Sequence, residues 1–260
     1  MLSKFAPYGL KFTAGFAPHV LLSGLEYACV IMGFLINAVR TMSETPGKRK
    51  NDPEGLKRRI IAAALSVFAE YGLPGARMEQ IAALAQTTKR MVVYHFTSKE
   101  ALYIEVLEQV YRAMREHETS LQLATLEPEQ AMIKLVEASF DYHVAHPDFM
   151  RLVCSENLLR GRYIMQSERI KTLNRSALDL LEAILTRGQQ QGLFYRDLNS
   201  VDVHRLISSI CVHHVSNRYT FHTLFTPDDS ETETIRRNRQ LAVAATLRYI
   251  RQAPSSTGSL

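Results

Sequence analysis

Cysteine is scarce in this chain of 260 residues, and the three that occur, Cys29, Cys154 and Cys211, stand far apart with no C-x-x-C pair. That excludes a disulfide framework and a zinc ribbon and makes a reducing cytoplasm the expected compartment. Glycine is sparse too, and proline falls at junctions (Pro46, Pro53, Pro74, Pro128, Pro147, Pro227), as it does where long helices are joined by short connections. No segment alternates apolar and polar residues with period two over a useful length, so strands are not expected. A phosphate-binding loop, a pair of carboxylates in a cleft setting and a nucleophile motif beside Cys154 are all missing. An enzyme is therefore not expected, and nothing asks for a cofactor. His143-x-x-His146 brings two imidazoles within a helical turn, but Pro147 ends that helix and no third metal ligand is in view.

What is present is an ordinary globular composition, 46% hydrophobic and 22% charged, with a net charge of +5. The distribution matters more than the sum. Ser43 to Lys99 holds ten Lys/Arg against five Asp/Glu, residues 1–42 carry +2, and everything from Glu100 onward carries −2. A basic module ahead of a mildly acidic remainder is the electrostatic footprint of a part that faces phosphates. The same charge also fits a helix pair that merely happens to be basic.

Residues 16–39 form one strongly apolar run, long enough to span a bilayer. Three readings stay open: an upstream stretch produced by the choice of start site, since Met42 opens a polar lead; a membrane anchor, which Glu26 would burden; or an added docking helix. The expected domains are an uncertain or disordered extension at 1–53, a DNA-binding module at 54–98, a sensing and dimerisation domain at 99–252 and a disordered tail at 253–260.

Ile60, Ile61, Ala64, Leu65 and Phe68 recur at three- and four-residue steps and predict a helix over 54–71, closed by Gly72. A second short helix at 78–85 buries Met78, Ile81, Ala82 and Ala85, the alanines allowing close approach of two helices crossing at a steep angle. Thr88 caps a third helix over 89–95, with Val92 plugging the crossing. The outward positions of this third helix carry hydroxyls, cations and flat polar rings, groups suited to phosphates and to guanine edges in a major groove.

The run IAALAQTTKRMVVYHFTSKEALY resembles the DNA-binding signature of the tetracycline-repressor (TetR) family, over about Leu56–Tyr103. The resemblance implies an all-α fold, with a three-helix helix-turn-helix domain ahead of a larger helical bundle that senses a ligand and dimerises. Carried over by position, Arg77, Thr87, Thr88, Lys89, Arg90, Tyr94, His95 and Lys99 become the expected DNA-facing residues, with Phe96 locking the third helix to the core. Two positions depart from the family's pattern. Gln86 stands where a turn glycine is common, and Arg77 stands where a hydroxyl usually opens the second helix.

From Ser98 onward the pattern predicts helices over 99–119, 128–146, 148–160, 163–190, 201–225 and 229–251. Two stripes on the last pair, Val203, Leu206, Ile207, Ile210 and His214, then Leu241, Ala244, Ala245, Leu247 and Ile250, are candidates for a homodimer interface, or for burial within one chain. Polar residues embedded among apolar ones make His143, Arg151, Asn157, Arg162, Asn174, His213, Asn217 and Arg218 the candidates for binding a small-molecule inducer. The runs RLVCSEN-x-x-x-G-x-YI and VSNRYTF are similar to the sensor of a TetR branch associated with catabolism of aromatic or heteroaromatic acids, nicotinate among them. A carboxylate ligand would then be held by Arg or His with Asn. The expected partners are operator DNA, an inducer and a second copy, with no membrane. The rivals are a membrane-tethered interaction protein anchored by 16–39 and a DNA-binding regulator whose packed middle domain takes no ligand.

Overall fold

The computed structural model describes residues 52–251. The readings of the extension at 1–53, short of its last two residues, and of the tail lie outside the described residues.

Within them every regular element is helical: α1 (Pro53–Gly75), α2 (Met78–Leu84), α3 (Lys89–Phe96), α4 (Lys99–Ser120), α5 (Pro128–Ala145), α6 (Pro147–Leu158), α7 (Glu168–Gln190), α8 (Ser200–Ser216), α9 (Arg218–Phe225) and α10 (Glu231–Arg251), with short 3-10 turns at Leu123–Thr125 and Ile164–Gln166. In α1, Ile60, Ala63, Ala64, Val67 and Phe68 are buried, the i, i+3, i+4, i+7 spacing of one helical face. Gly72 interrupts the helix at φ 64°, ψ 172°, a conformation open to glycine, and one further turn follows it to Gly75. Ser98 and Ser167 cap α4 and α7 by accepting hydrogen bonds from the Ala101 and Ile170 amides at 3.0 and 3.1 Å. Pro128 and Pro147 each open a helix, where the missing N–H costs nothing.

Two apolar cores result. The first gathers α1–α3, most of α4 and a face of α6; the second gathers α5, α7, α8 and α10. α4 packs on α1 at one end and on α7 and α5 beyond, so it belongs to both halves. An aromatic chain strengthens the junction: Tyr103 of α4 meets Phe68 of α1 edge-on at 5.0 Å and Tyr163 at 5.4 Å. Tyr163 and Ile164 in turn donate their amides to the Glu156 carboxylate, at 3.1 and 3.0 Å. That carboxylate, 1% exposed, holds the turn that leads into α7.

Two expected helices are divided. The span 163–190 begins as a 3-10 turn before Ser167 starts α7. The span 201–225 breaks at Asn217, whose amide donates to His213 while its side chain donates to Ser216 Oγ. Serine and asparagine compete with the helix through such local bonds, and the apolar periodicity on either side concealed the break. The two stripes also split. Val203, Ile207 and Ile250 are buried within the chain, whereas Leu241 is 53% exposed.

Candidate nucleic-acid interface and sensor cavity

The reading head is built from the backbone outward. The Arg77 amide donates to Gln80 Oε1 at 3.2 Å, so Gln80 satisfies one end of α2 without a hydroxyl cap. Ala82 and Ala85 are buried at the crossing. Gln86 adopts the left-handed region (φ 54°), as a glycine would, and the Thr87 amide returns to the Ala82 carbonyl at 2.9 Å. Thr88 Oγ1 accepts from the Met91 amide at 3.3 Å and starts α3. Val92 and Phe96, 0% and 6% exposed, pin the inner face of α3.

The outer face carries the residues that the sequence leads one to expect against DNA. Arg77, Thr88, Lys89, Arg90 and Tyr94 are exposed, Tyr94 at 76%, while Thr87 and His95 are half-buried. Lys89 pairs with Glu79 at 2.7 Å, and that bond holds the Glu79 carboxyl below the usual carboxylate range. Lys99 stands apart. Its ammonium donates to the carbonyls of Ala76 at 3.0 Å and Pro74 at 3.5 Å, closing the turn after α1. Between α3 and α4 lies a feature the sequence did not announce. Thr97 sits at φ 58°, ψ −47°, and the Ser98 amide donates to the Phe96 carbonyl at 2.5 Å, a three-residue turn that is strained for a β-branched residue.

The eight expected sensor residues do not converge. Arg151 is exposed and ties α6 to α1 through Glu70 at 3.1 Å. Asn157 and Asn174 donate to carbonyls one turn back in their own helices, and Arg162 lies exposed beside the Tyr163 ring. His213 and Arg218 line a groove of about 650 Å3 between α8, α9 and α10, with Asn217 at the end of α8 beside it. Arg218 pairs there with Glu231 at 3.0 Å.

Only His143 reaches the interior between α4, α5, α7 and α8, where it lines a cavity of about 30 Å3 with Glu118, Ser139 and His204. Its Nδ1 donates to the Ser139 carbonyl at 2.5 Å, and burial holds its pKa below the ordinary histidine value. His146 is likewise bonded to the Tyr142 carbonyl, and no group of metal-binding side chains occurs among the described residues. Burial raises the Cys154 thiol, the opposite of what a nucleophile needs.

Sequence reasoning missed the charged pair beside this cavity. Arg115 and Glu118, 7% and 8% exposed, pair at 3.0 Å on α4. The available signal was their register: they continue the stripe of Leu107, Val110, Tyr111 and Met114, which turns inward.

Two family profiles match this arrangement: bacterial regulatory proteins, tetR family, over residues 60–106, and tetracyclin repressor-like, C-terminal domain, over 128–245. The HTH-type transcriptional repressor NicS of Pseudomonas putida is 36% identical over 182 residues, covering 70% of this chain and 86% of the relative. The chain belongs to the TetR family. Another TetR-type relative, the HTH-type transcriptional regulator RutR of Escherichia coli O157:H7, is 36% identical over 157 residues, 57% of this chain and 69% of its own. Among solved structures, a tetR-family regulatory protein from Rhodococcus RHA1 aligns with a TM-score of 0.60 at 20% identity, over 76% of this chain and 98% of that one. The ketosteroid regulator KstR2 of Mycobacterium tuberculosis aligns at 0.57 and 21%, over 80% and 100%. At those identities they show the shared TetR fold. As a TetR protein the chain is a DNA-binding transcriptional regulator, not an enzyme. No helix among the described residues is long and apolar enough to cross a membrane.

Proposed function

We propose that this TetR protein is a ligand-responsive repressor in the cytoplasm that binds a pseudo-palindromic operator as a homodimer and leaves it when a small-molecule inducer, an aromatic or heteroaromatic acid such as nicotinate or a derivative, occupies its sensor domain. The observation that carries the reading is α3 itself, anchored by Val92 and Phe96 while Lys89, Arg90, Thr88 and Tyr94 stand free of the core. A short helix held from one side and cationic on the other enters a major groove without rearrangement. Arg77, Thr87, His95 and Lys99 flank it as further contacts to phosphates and bases.

The homodimer is supported by what α8–α10 leave uncovered. Phe221 and Leu241, 44% and 53% exposed, line the 650 Å3 groove, Leu224 and Phe225 on the same helix as Phe221 are 69% and 68% exposed, and a second copy would bury them. Two heads related by a twofold axis must stand about 34 Å apart to occupy successive major grooves. α4 joins head to sensor, so a ligand that prefers one setting of α4 changes that spacing, by no more than its difference in affinity allows. The relative named a repressor supports the negative sign of control.

The water-sized internal cavity favours a second reading, a DNA-binding regulator with no ligand. A mobility-shift assay on the duplex upstream of the protein's own gene tests the main one. Wild type is expected to retard it, candidate acids to release it, and Lys89→Ala with Arg90→Ala to weaken it at least about tenfold. Undiminished affinity in the double variant would sink the assignment of α3, and retardation that no acid relieves would favour the ligand-free regulator.

A further inference from the structure

We propose that Arg115 is the anion anchor of the sensor: a small monocarboxylate enters between α4, α5 and α8 and sets its carboxylate on the unmet donors of this guanidinium. The inference rests on the ligand-responsive reading above and names the chemistry of the ligand and the helix it grips.

Arg115 is 7% exposed, and neither its Nε nor its Nη1 has a hydrogen-bond partner among the described residues. Only Nη2 is engaged, by Glu118 Oε1 at 3.0 Å. A buried guanidinium with two donors unmet is costly, and an acceptor that arrives from outside would offset that cost. The space nearest to that guanidinium is reached through its partner Glu118. Glu118, His143 and His204 all line the internal cavity, and the charge of Arg115 is felt at both histidines.

The same charges limit what can bind. Facing Arg115 are Tyr111 and Glu118 on its own helix, Tyr142 and His143 from α5, and His204 from α8, with Glu156 of α6 acting on Tyr111. One cation, already shared with Glu118, cannot neutralise a dianion, and burial keeps both histidines neutral. A phosphate monoester is therefore disfavoured and a carboxylate fits. Even a monocarboxylate leaves one surplus negative charge, so binding takes up a proton, and Glu118, whose pKa burial already raises, is the nearest acceptor. The cavity, at about 30 Å3, must widen to admit a ring, and the wall that carries the anchor is α4, the helix shared with the reading head.

Calorimetric titration of the full chain with benzoate and with its neutral counterpart benzamide tests the anchor. Wild type is expected to bind benzoate at least about tenfold more tightly than benzamide, and more tightly at pH 6.5 than at pH 7.5. Arg115→Gln should erase the preference for charge, and Arg115→Lys should keep part of it. Glu118→Gln, which leaves the anchor in place and removes its competitor, should raise benzoate affinity several-fold and abolish the pH dependence. Equal binding of benzamide, benzoate affinity unchanged in Arg115→Gln, or no binding across acetate, benzoate and nicotinate would each overturn the proposal. Should Arg115→Gln fail to fold, the Glu118→Gln result decides alone, unchanged or weaker benzoate binding counting against the anchor. Operator retardation measured on the same samples separates the two readings: its absence in wild type would sink the repressor assignment and leave a charge-selective titration standing.

Discussion

The cations of α3 and of α4 lie within thirty residues of one another in sequence and meet opposite fates. Lys89 and Arg90 stand in solvent, the first loosely held by Glu79; Arg115 is sealed between helices with Glu118. An exposed pair exchanges partners at little cost, so it can give up a carboxylate for a phosphate. A buried pair cannot loosen without a substitute charge, so it responds to what enters the interior. On the proposed reading, one helix docks and the other detects.

The largest test of that contrast is to break both pairs. Glu118→Ala should cost about 3–5 kcal/mol, because it strands a buried guanidinium, whereas Glu79→Ala should leave urea denaturation unchanged. Equal effects would erase the distinction. Next comes pH. Burial lowers the pKa of His117, His143, His204 and His214, so the unfolded chain binds protons more readily near the ordinary histidine value of about 6.5. Their contribution to stability is complete above that value and is lost as pH falls below it. Glu118, raised by burial from the carboxylate value of 4.5, works the other way. The melting temperature should drop between pH 7.5 and 5.5, and His143→Asn should flatten the drop; a flat wild-type profile would contradict neutral burial.

A smaller effect concerns Lys99, which is committed to two carbonyls yet lies beside the reading head. Lys99→Ala should weaken binding to all duplexes alike and flatten the salt dependence by about one unit. An unchanged slope would confine Lys99 to closing the turn. The smallest is Thr97→Gly, which should relieve the strained turn between α3 and α4 and stabilise the chain by about 1 kcal/mol, or about 2–4 °C in melting temperature. No gain would mean that the turn is set by its neighbours.

Much of the reading head was legible because it is local. The spacing of Ile60, Ala64 and Phe68, the small residues at Ala82 and Ala85 and the caps at Thr88 and Ser98 each act within a turn or two, so residue type and interval suffice. The strain at Thr97 was not legible, because a β-branched residue gives no sign of being forced to positive φ. The sensor was less readable still. Arg151 looked like an interior ligand group and instead bridges α6 to α1, while nothing in the pattern singled out Arg115 among the charges of a long helix.

Helical class, the order of the helices and the cation-bearing face of α3 were determined by the sequence by itself, since each depends on neighbours within about two turns of chain. Which charges end inside was decided only by the tertiary structure. α4 packs on α5 and α7, and α8 closes the same cavity; only when these helices meet do Glu118, His143 and His204 share one low-dielectric space, with Arg115 buried behind its partner Glu118. Burial depends on all the surfaces that close over a group, and for Glu118, His143 and His204 those surfaces come from α4, α5, α7 and α8.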